Sequence, residues 1–167
     1  IPVDEDYDKA SKVARTIQRQ ISPLCYQYIV NAALSYDSRK ADAIYRVILL
    51  GLHMGSSVMN HFADLNVSTI DKLSRNVSNE LLHLQGFLRF QELDNGILYA
   101  TIHPKNHIIR YLGEHFADRF PDESFLIADT QRGCVIAYAN QQIKYFDSVD
   151  MDFSHIDEHI SRCEEMF

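Results

Sequence analysis

Cysteine is scarce in this 167-residue chain: Cys25, Cys134 and Cys163 lie far apart and form no C-x-x-C pair. That spacing argues against a zinc ribbon, an iron–sulfur cluster or a disulfide framework, and leaves the thiols as small core residues. Long hydrophobic runs are missing as well. The longest, Val47 to Leu52, is far too short to span a bilayer, and no charged-then-apolar segment opens the chain. The expectation is a cytoplasmic protein without a membrane partner. The chain opens on Ile1-Pro2 and stops on Phe167, as a portion of a longer protein would. Nucleophile and nucleotide motifs are also lacking: there is no G-x-S-x-G, no P-loop and no G-x-G-x-x-G. Eight histidines are present, but none falls in H-E-x-x-H, and Pro104 interrupts the pair His103 and His107. No metal site and no cofactor is expected, and no autonomous hydrolase or nucleotide-dependent enzyme is signalled.

What remains is an ordinary globular composition, 46% hydrophobic and 23% charged, in a chain long enough for one generous core or two small ones. The net charge of −7 argues against indiscriminate nucleic-acid binding, yet it conceals a segregation. Residues 1–8 carry four acids, residues 9–90 a net charge of +5, and residues 91–167 a net charge of −8. Opposite signs in successive segments can steer a polyanion toward one and away from the other.

Along the chain, Ala10, Val13, Ala14, Ile17 and Ile21 recur at helical spacing, with Lys9, Lys12, Arg15 and Arg19 on the opposite face. This predicts a basic amphipathic helix over 8–21, preceded by acids that complement its dipole. Ser22-Pro23 supplies an N-cap and a first-turn proline for a second helix reaching about Tyr36. A third helix from about Arg39 to Met59 is apolar on nearly every side between Ile44 and Met54, as expected of one buried by several neighbours. Gly51 and Gly55 in it would admit a close backbone. Ile70, Leu73, Val77, Leu81 and Leu84 define a fourth helix, with Ser68 as its cap and Gly86 at the left-handed stop.

The pattern then changes to alternation. Phe87 to Glu92 reads as a strand, Asn95-Gly96 as a hairpin turn and Ile97 to Ile102 as the return strand. A helix from Asn106 or His107 to Phe120 follows, then strands at Phe125–Asp129, Cys134–Ala139 and Ile143–Phe146, and a last helix from about Ser154. The fold class expected is α+β: an N-terminal helical bundle, residues 1–85, packed as one compact unit beside a mainly antiparallel sheet, residues 86–167. The order of elements in the second part is β-β-α-β-β-β with a C-terminal helix.

Four ionisable side chains stand in the second part where the fold does not demand them: Arg89, His115, Arg119 and Arg132. His115 and Arg119 share one helical face while Phe116 and Phe120 share the adjacent one. Arg89 interrupts Phe87-Leu88-Arg89-Phe90, where it either faces solvent on an open sheet face or reaches a carboxylate or phosphate with its planar fork. Arg132 lies in a turn beside Asp129, where a turn-stabilising pair is the structural alternative.

The segments GFLRFQEL, NGILYATI-x-P, HFADRFP and IADTQRGCVIAY, with YRVILLGLHMG in the helical part, resemble the "probable DNA metabolism protein" family. Members of that family accompany a radical S-adenosylmethionine protein of DNA modification or repair, and some are fused to a uracil-DNA glycosylase-like domain. The resemblance implies a role in DNA repair or modification, with that radical enzyme as partner and DNA as a possible ligand. It brings no established catalytic mechanism. Lys9, Lys12, Arg15 and Arg19 are the expected phosphate contacts, with Arg39, Lys40, Lys72 and Arg75 as weaker ones. Arg89, His115, Arg119 and Arg132 are expected to form a second surface for a nucleotide or the partner protein. The alternatives are an enzyme with His115 as general acid/base and a scaffold that binds only protein.

Overall fold

The computed structural model of the chain describes residues 6–93 and 95–147. The helix expected from about Ser154, and Cys163 with it, lies outside the described residues. Helices and a five-stranded sheet make an α+β protein that divides into two compact units between Asn79 and Glu80, within one long helix.

The first unit opens with α1 (Tyr7–Thr16), whose N-cap Asp6 accepts a hydrogen bond from the Lys9 backbone N–H at 2.9 Å. The helix then widens into a π turn over Ile17–Ile21, closed by the bond from Ser22 N to Ile17 O, five residues back. The apolar stripe expected over 8–21 is therefore only partly buried. Ile17 and Ile21 enter the core, whereas Ala10 and Val13 are exposed, Val13 by 52%. Ser22 caps α2 (Pro23–Ala33) by accepting from Cys25 N at 3.0 Å, with Pro23 in the first turn. The helix ends before Tyr36 because Lys40 Nζ donates to the carbonyls of Ala33 and Ser35.

α3 (Lys40–Met54) is followed by a 3-10 segment, Gly55–Asn60. Burial on all sides is not what this helix has: Ala43, Val47 and Gly51 are buried, while Tyr45, Leu49 and Leu52 are 63%, 45% and 45% exposed. The core of the unit, including Ile17, Ile21, Cys25, Ile29 and Val58, meets α3 from one side. Of the two glycines only Gly51 permits a close approach, since a Cβ there would lie 2.7 Å from Ile21 Cδ1. Gly55 instead turns the chain at φ +64 and ψ −144, outside the range of other residues. α4 (Leu65–Phe87) is capped by Asp64 rather than Ser68, the carboxylate accepting from Asn66 N at 2.7 Å and Val67 N at 3.2 Å. Ser68 lies inside the helix.

In the second unit α4 runs through Gly86, which is not left-handed, to Phe87, whose ring meets His83 one turn earlier at 4.8 Å. That extra turn shortens the first strand to β1 (Gln91–Glu92). Phe90 leaves the expected strand to pack edge-on against Phe116 at 5.0 Å and Phe125 at 5.8 Å. β1 pairs with β2 (Leu98–Ile102), α5 (Ile109–Arg119) follows, and β3 (Phe125–Asp129), β4 (Cys134–Ala139) and β5 (Gln142–Phe146) complete a sheet in sequential order. β2 and β3 are parallel and the other neighbours antiparallel. The helical crossover follows from that, because parallel neighbours cannot be joined by a hairpin. Asn140 and Gln141, both at positive φ, form the two-residue turn between β4 and β5.

At the end of β3, Asp129 is 0% exposed. Its carboxylate accepts from Gln131 N at 3.0 Å and Arg132 N at 3.3 Å, and pairs with Arg132 Nη1 at 2.8 Å. Arg132 also donates to the carbonyls of Pro104 at 2.9 Å and Lys105, joining the turn after β3 to the loop after β2.

Three substitutions check this packing. Gly113→Ala puts a Cβ 2.7 Å from the buried Ile136 and should destabilise by about 1–3 kcal/mol in urea denaturation. Gly86→Ala, with open space around it, should be neutral or stabilise by up to about 1 kcal/mol. Asp129→Asn strands the Arg132 charge and should cost about 3 kcal/mol. Equal effects at Gly86 and Gly113, or a silent Asp129→Asn, would contradict these contacts.

Candidate functional site

The basic helix is the first candidate. Lys9, Lys12, Arg15 and Arg19 are all exposed, and Lys9 is paired with Asp6 at 3.0 Å. Among the described residues no carboxylate lies within ion-pair distance of Lys12, Arg15 or Arg19. Spacings of three and four residues put these three on one side of the helix. The weaker candidates fare differently. Arg39 is held by Asp37 through two bonds of 3.0 and 2.7 Å, Arg75 by Asp71 at 3.1 Å, and Lys40 by the α2 carbonyls. The Arg39 bonds pull the Asp37 carboxyl down to about 2. Lys72 lines a cleft of about 310 Å³ beside Asp37 and Arg39 and stands in the field of the same carboxylate.

The second candidate set is only partly assembled. Phe90, next to Arg89, touches the rings of Phe116 and Phe120, next to His115 and Arg119 respectively. Arg89 and Arg119 are exposed, and the Arg119 guanidinium lies 5.7 Å from the Phe120 ring. The His115 ring stands edge-on to Phe116 at 5.0 Å, with Nε2 buried and without a hydrogen-bond partner among the described residues. Arg132 belongs elsewhere. It binds Pro104 and Lys105, which precede α5, whereas Arg119 ends that helix, about 16 Å of rise away. Its guanidinium is occupied by Asp129 and two carbonyls, so the turn-stabilising alternative describes it.

Around Arg132 the structure gathers a group that no sequence motif marks. Glu80 accepts from Lys105 N at 2.7 Å, Asn106 N at 2.9 Å and Asn106 Nδ2 at 2.7 Å. His107, next in the chain, bonds through Nε2 to the Tyr145 hydroxyl at 3.0 Å, and the Arg110 guanidinium lies 4.2 Å above the centre of the Tyr145 ring. The Cys134 thiol and the Asp147 carboxylate also stand near that hydroxyl. Partial burial, and then the Arg132 charge, lower the His107 pKa; burial raises those of Tyr145 and Cys134. The neutral imidazole and the protonated thiol are thus the favoured forms near neutral pH. Proline between His103 and His107 speaks against a helical metal pair, and does so without revealing that His107 is presented by a fixed loop. The available signal was an acid-free stretch, residues 95–113, inside the acidic part of the chain.

Among the described residues no group of three His, Cys, Asp or Glu side chains gathers as a metal ion would require, and no helix is long and apolar enough to cross a membrane. Cys25 and Cys134 are free and buried. Neither a curated protein nor a solved structure matches the sequence. Residues 38–166 match the domain of unknown function DUF4130, and the chain belongs to that family.

Proposed function

We propose that the protein is a nucleic-acid-binding accessory factor of DNA repair or modification that works with a radical S-adenosylmethionine enzyme in the cytoplasm. The observation that carries the reading is the face of Lys12, Arg15 and Arg19, three exposed cations without a carboxylate among the described residues. Elsewhere in the first unit Asp37, Asp42 and Asp71 neutralise neighbouring arginines. Cations left open on one helix suit a row of phosphates, which draws affinity from counterion release and tolerates any sequence. The net −8 of residues 91–167, against +5 over residues 9–90, makes the basic helix the stronger attractor of a long polyanion. The partner enzyme enters through the resemblance of HFADRFP and its neighbouring segments, and Arg89 and Arg119 are its proposed contacts. An acid/base role for His115 has less support, because its ring packs on Phe116 and Arg132 is bound at the other end of α5.

In fluorescence anisotropy with duplex DNA, Lys12→Gln, Arg15→Gln and Arg19→Gln combined should weaken binding and leave the melting temperature unchanged. The log–log salt slope should become shallower by up to about 0.9 for each phosphate that is no longer neutralised. Unchanged affinity and slope would assign the face to solvation. On the second surface, Phe116→Ala should cost about 3–5 kcal/mol. Arg89→Ala with Arg119→Ala should keep the fold and reduce co-elution with the radical enzyme; retention of co-elution would remove these arginines from the contact.

A further inference from the structure

We propose that His107 and Arg110, arranged around Tyr145, form with Lys105, two residues before His107 on the same loop, a binding site in the second unit for a terminal phosphate group. This goes beyond the basic face of α1 and does not depend on it. The backbone of the loop after β2 is held along both polar edges. Its N–H groups go to Glu80, and its carbonyls at Pro104 and Lys105 go to Arg132, itself anchored by the buried Asp129. Ile108 and Ile109, both 0% exposed, fix the next two residues in the core. Yet the side chains carried by this rigid segment, Lys105, His107 and Arg110, are exposed. Two of them are held by the same aromatic residue: Tyr145 bonds the imidazole through its hydroxyl and carries the guanidinium carbon over its face.

The chemistry of each group selects the ligand. A guanidinium held over a ring face by its cationic carbon keeps N–H donors available to a tetrahedral oxyanion. Among the described residues no carboxylate lies within ion-pair distance of Arg110 or Lys105. In the protonated imidazole both ring nitrogens donate, so Nε2–H is taken by the Tyr145 hydroxyl oxygen. Nδ1–H of His107 then remains to donate to a phosphate oxygen. The charged and titratable groups facing the imidazole are Arg110, Arg132, Asp129, Asp147 and Tyr145, with Cys134 behind the hydroxyl. Burial and the neighbouring arginines depress the His107 pKa, and an anion beside it reverses that effect. Binding should therefore raise the His107 pKa, and by linkage the protonated ring should bind more tightly.

The test is an NMR titration of the full chain, following the His107 ring resonances against pH with and without inorganic phosphate. A saturable upward shift of the His107 pKa is expected. Arg110→Ala, at an exposed position, should weaken phosphate binding about tenfold or more, as removal of a charge-assisted partner does. The sources are separated by comparing inorganic phosphate, a 5′-phosphorylated oligonucleotide and the same oligonucleotide with a 5′-hydroxyl. A preference for the phosphorylated end that disappears in Arg110→Ala identifies a nucleic-acid terminus; binding of inorganic phosphate alone identifies a small phosphate. If neither phosphate compound moves the His107 pKa, or if Arg110→Ala binds as the parent does, the site does not exist. Affinity for the 5′-hydroxyl oligonucleotide should respond to the Lys12, Arg15 and Arg19 substitutions and not to Arg110→Ala. Failure of the phosphate site and failure of the DNA-binding reading therefore give different results.

Discussion

Asp129 is the group on which the second unit depends. A carboxylate with no exposed surface is costly unless its charge is paired and its oxygens accept hydrogen bonds, and here both conditions are met by residues of one turn. Arg132 answers the charge, and its remaining donors reach the carbonyls of the loop that leaves β2. Because β2 and β3 are parallel, their two exit loops lie at the same end of the sheet. One buried charge thereby fixes the turn into β4 and the approach to α5, and with them the positions of His107 and Arg110.

The first unit handles its charges in a different way. Asp6, Asp37, Asp42, Asp64 and Asp71 lie near the cations or helix ends they serve, so the unit contains many local pairs and caps. Exposed pairs of this kind contribute little stability. Their effect on function is selective, since they quench Arg39, Arg46 and Arg75 as phosphate ligands and leave Lys12, Arg15 and Arg19 open. Asn31 and Glu80 illustrate the same economy of polar contacts, each within its own unit: Asn31 donates to Ser74 and Ser78 inside the first, and Glu80 serves the loop inside the second.

Much of this was legible in the sequence where a residue acts locally. Ser22-Pro23 marked the start of α2, and Asn140-Gln141 marked the turn between β4 and β5, because caps and turns depend on the residues that form them. The short apolar runs at Phe125–Asp129 and Cys134–Ala139, bounded by turn residues, were equally plain. Legibility ended where a distant partner decides. The end of α4 moved where the Phe87 ring meets His83, Phe90 left its strand for three aromatic rings, and half of α3 stayed exposed because the core meets it from one side. For the candidate sites the division is the same. The basic face follows from periodicity alone, whereas the grouping of His107, Arg110 and Tyr145 needs the pairing of β3 with β4 and β4 with β5, and no local pattern announces it.

The π turn at Ile17–Ile21 has a consequence for how this surface can change over time. A π turn holds one residue more than the α-helical turn it replaces, so it acts as a phase shifter between the exposed cations of α1 and the buried isoleucines that anchor the helix. Deletion of a single residue there would restore the α-helical period and rotate Lys12 and Arg15 by about 100° about the helix axis. A one-codon deletion would thus redirect the charged face while leaving its composition intact, giving the lineage a discrete step in surface orientation that no point substitution provides.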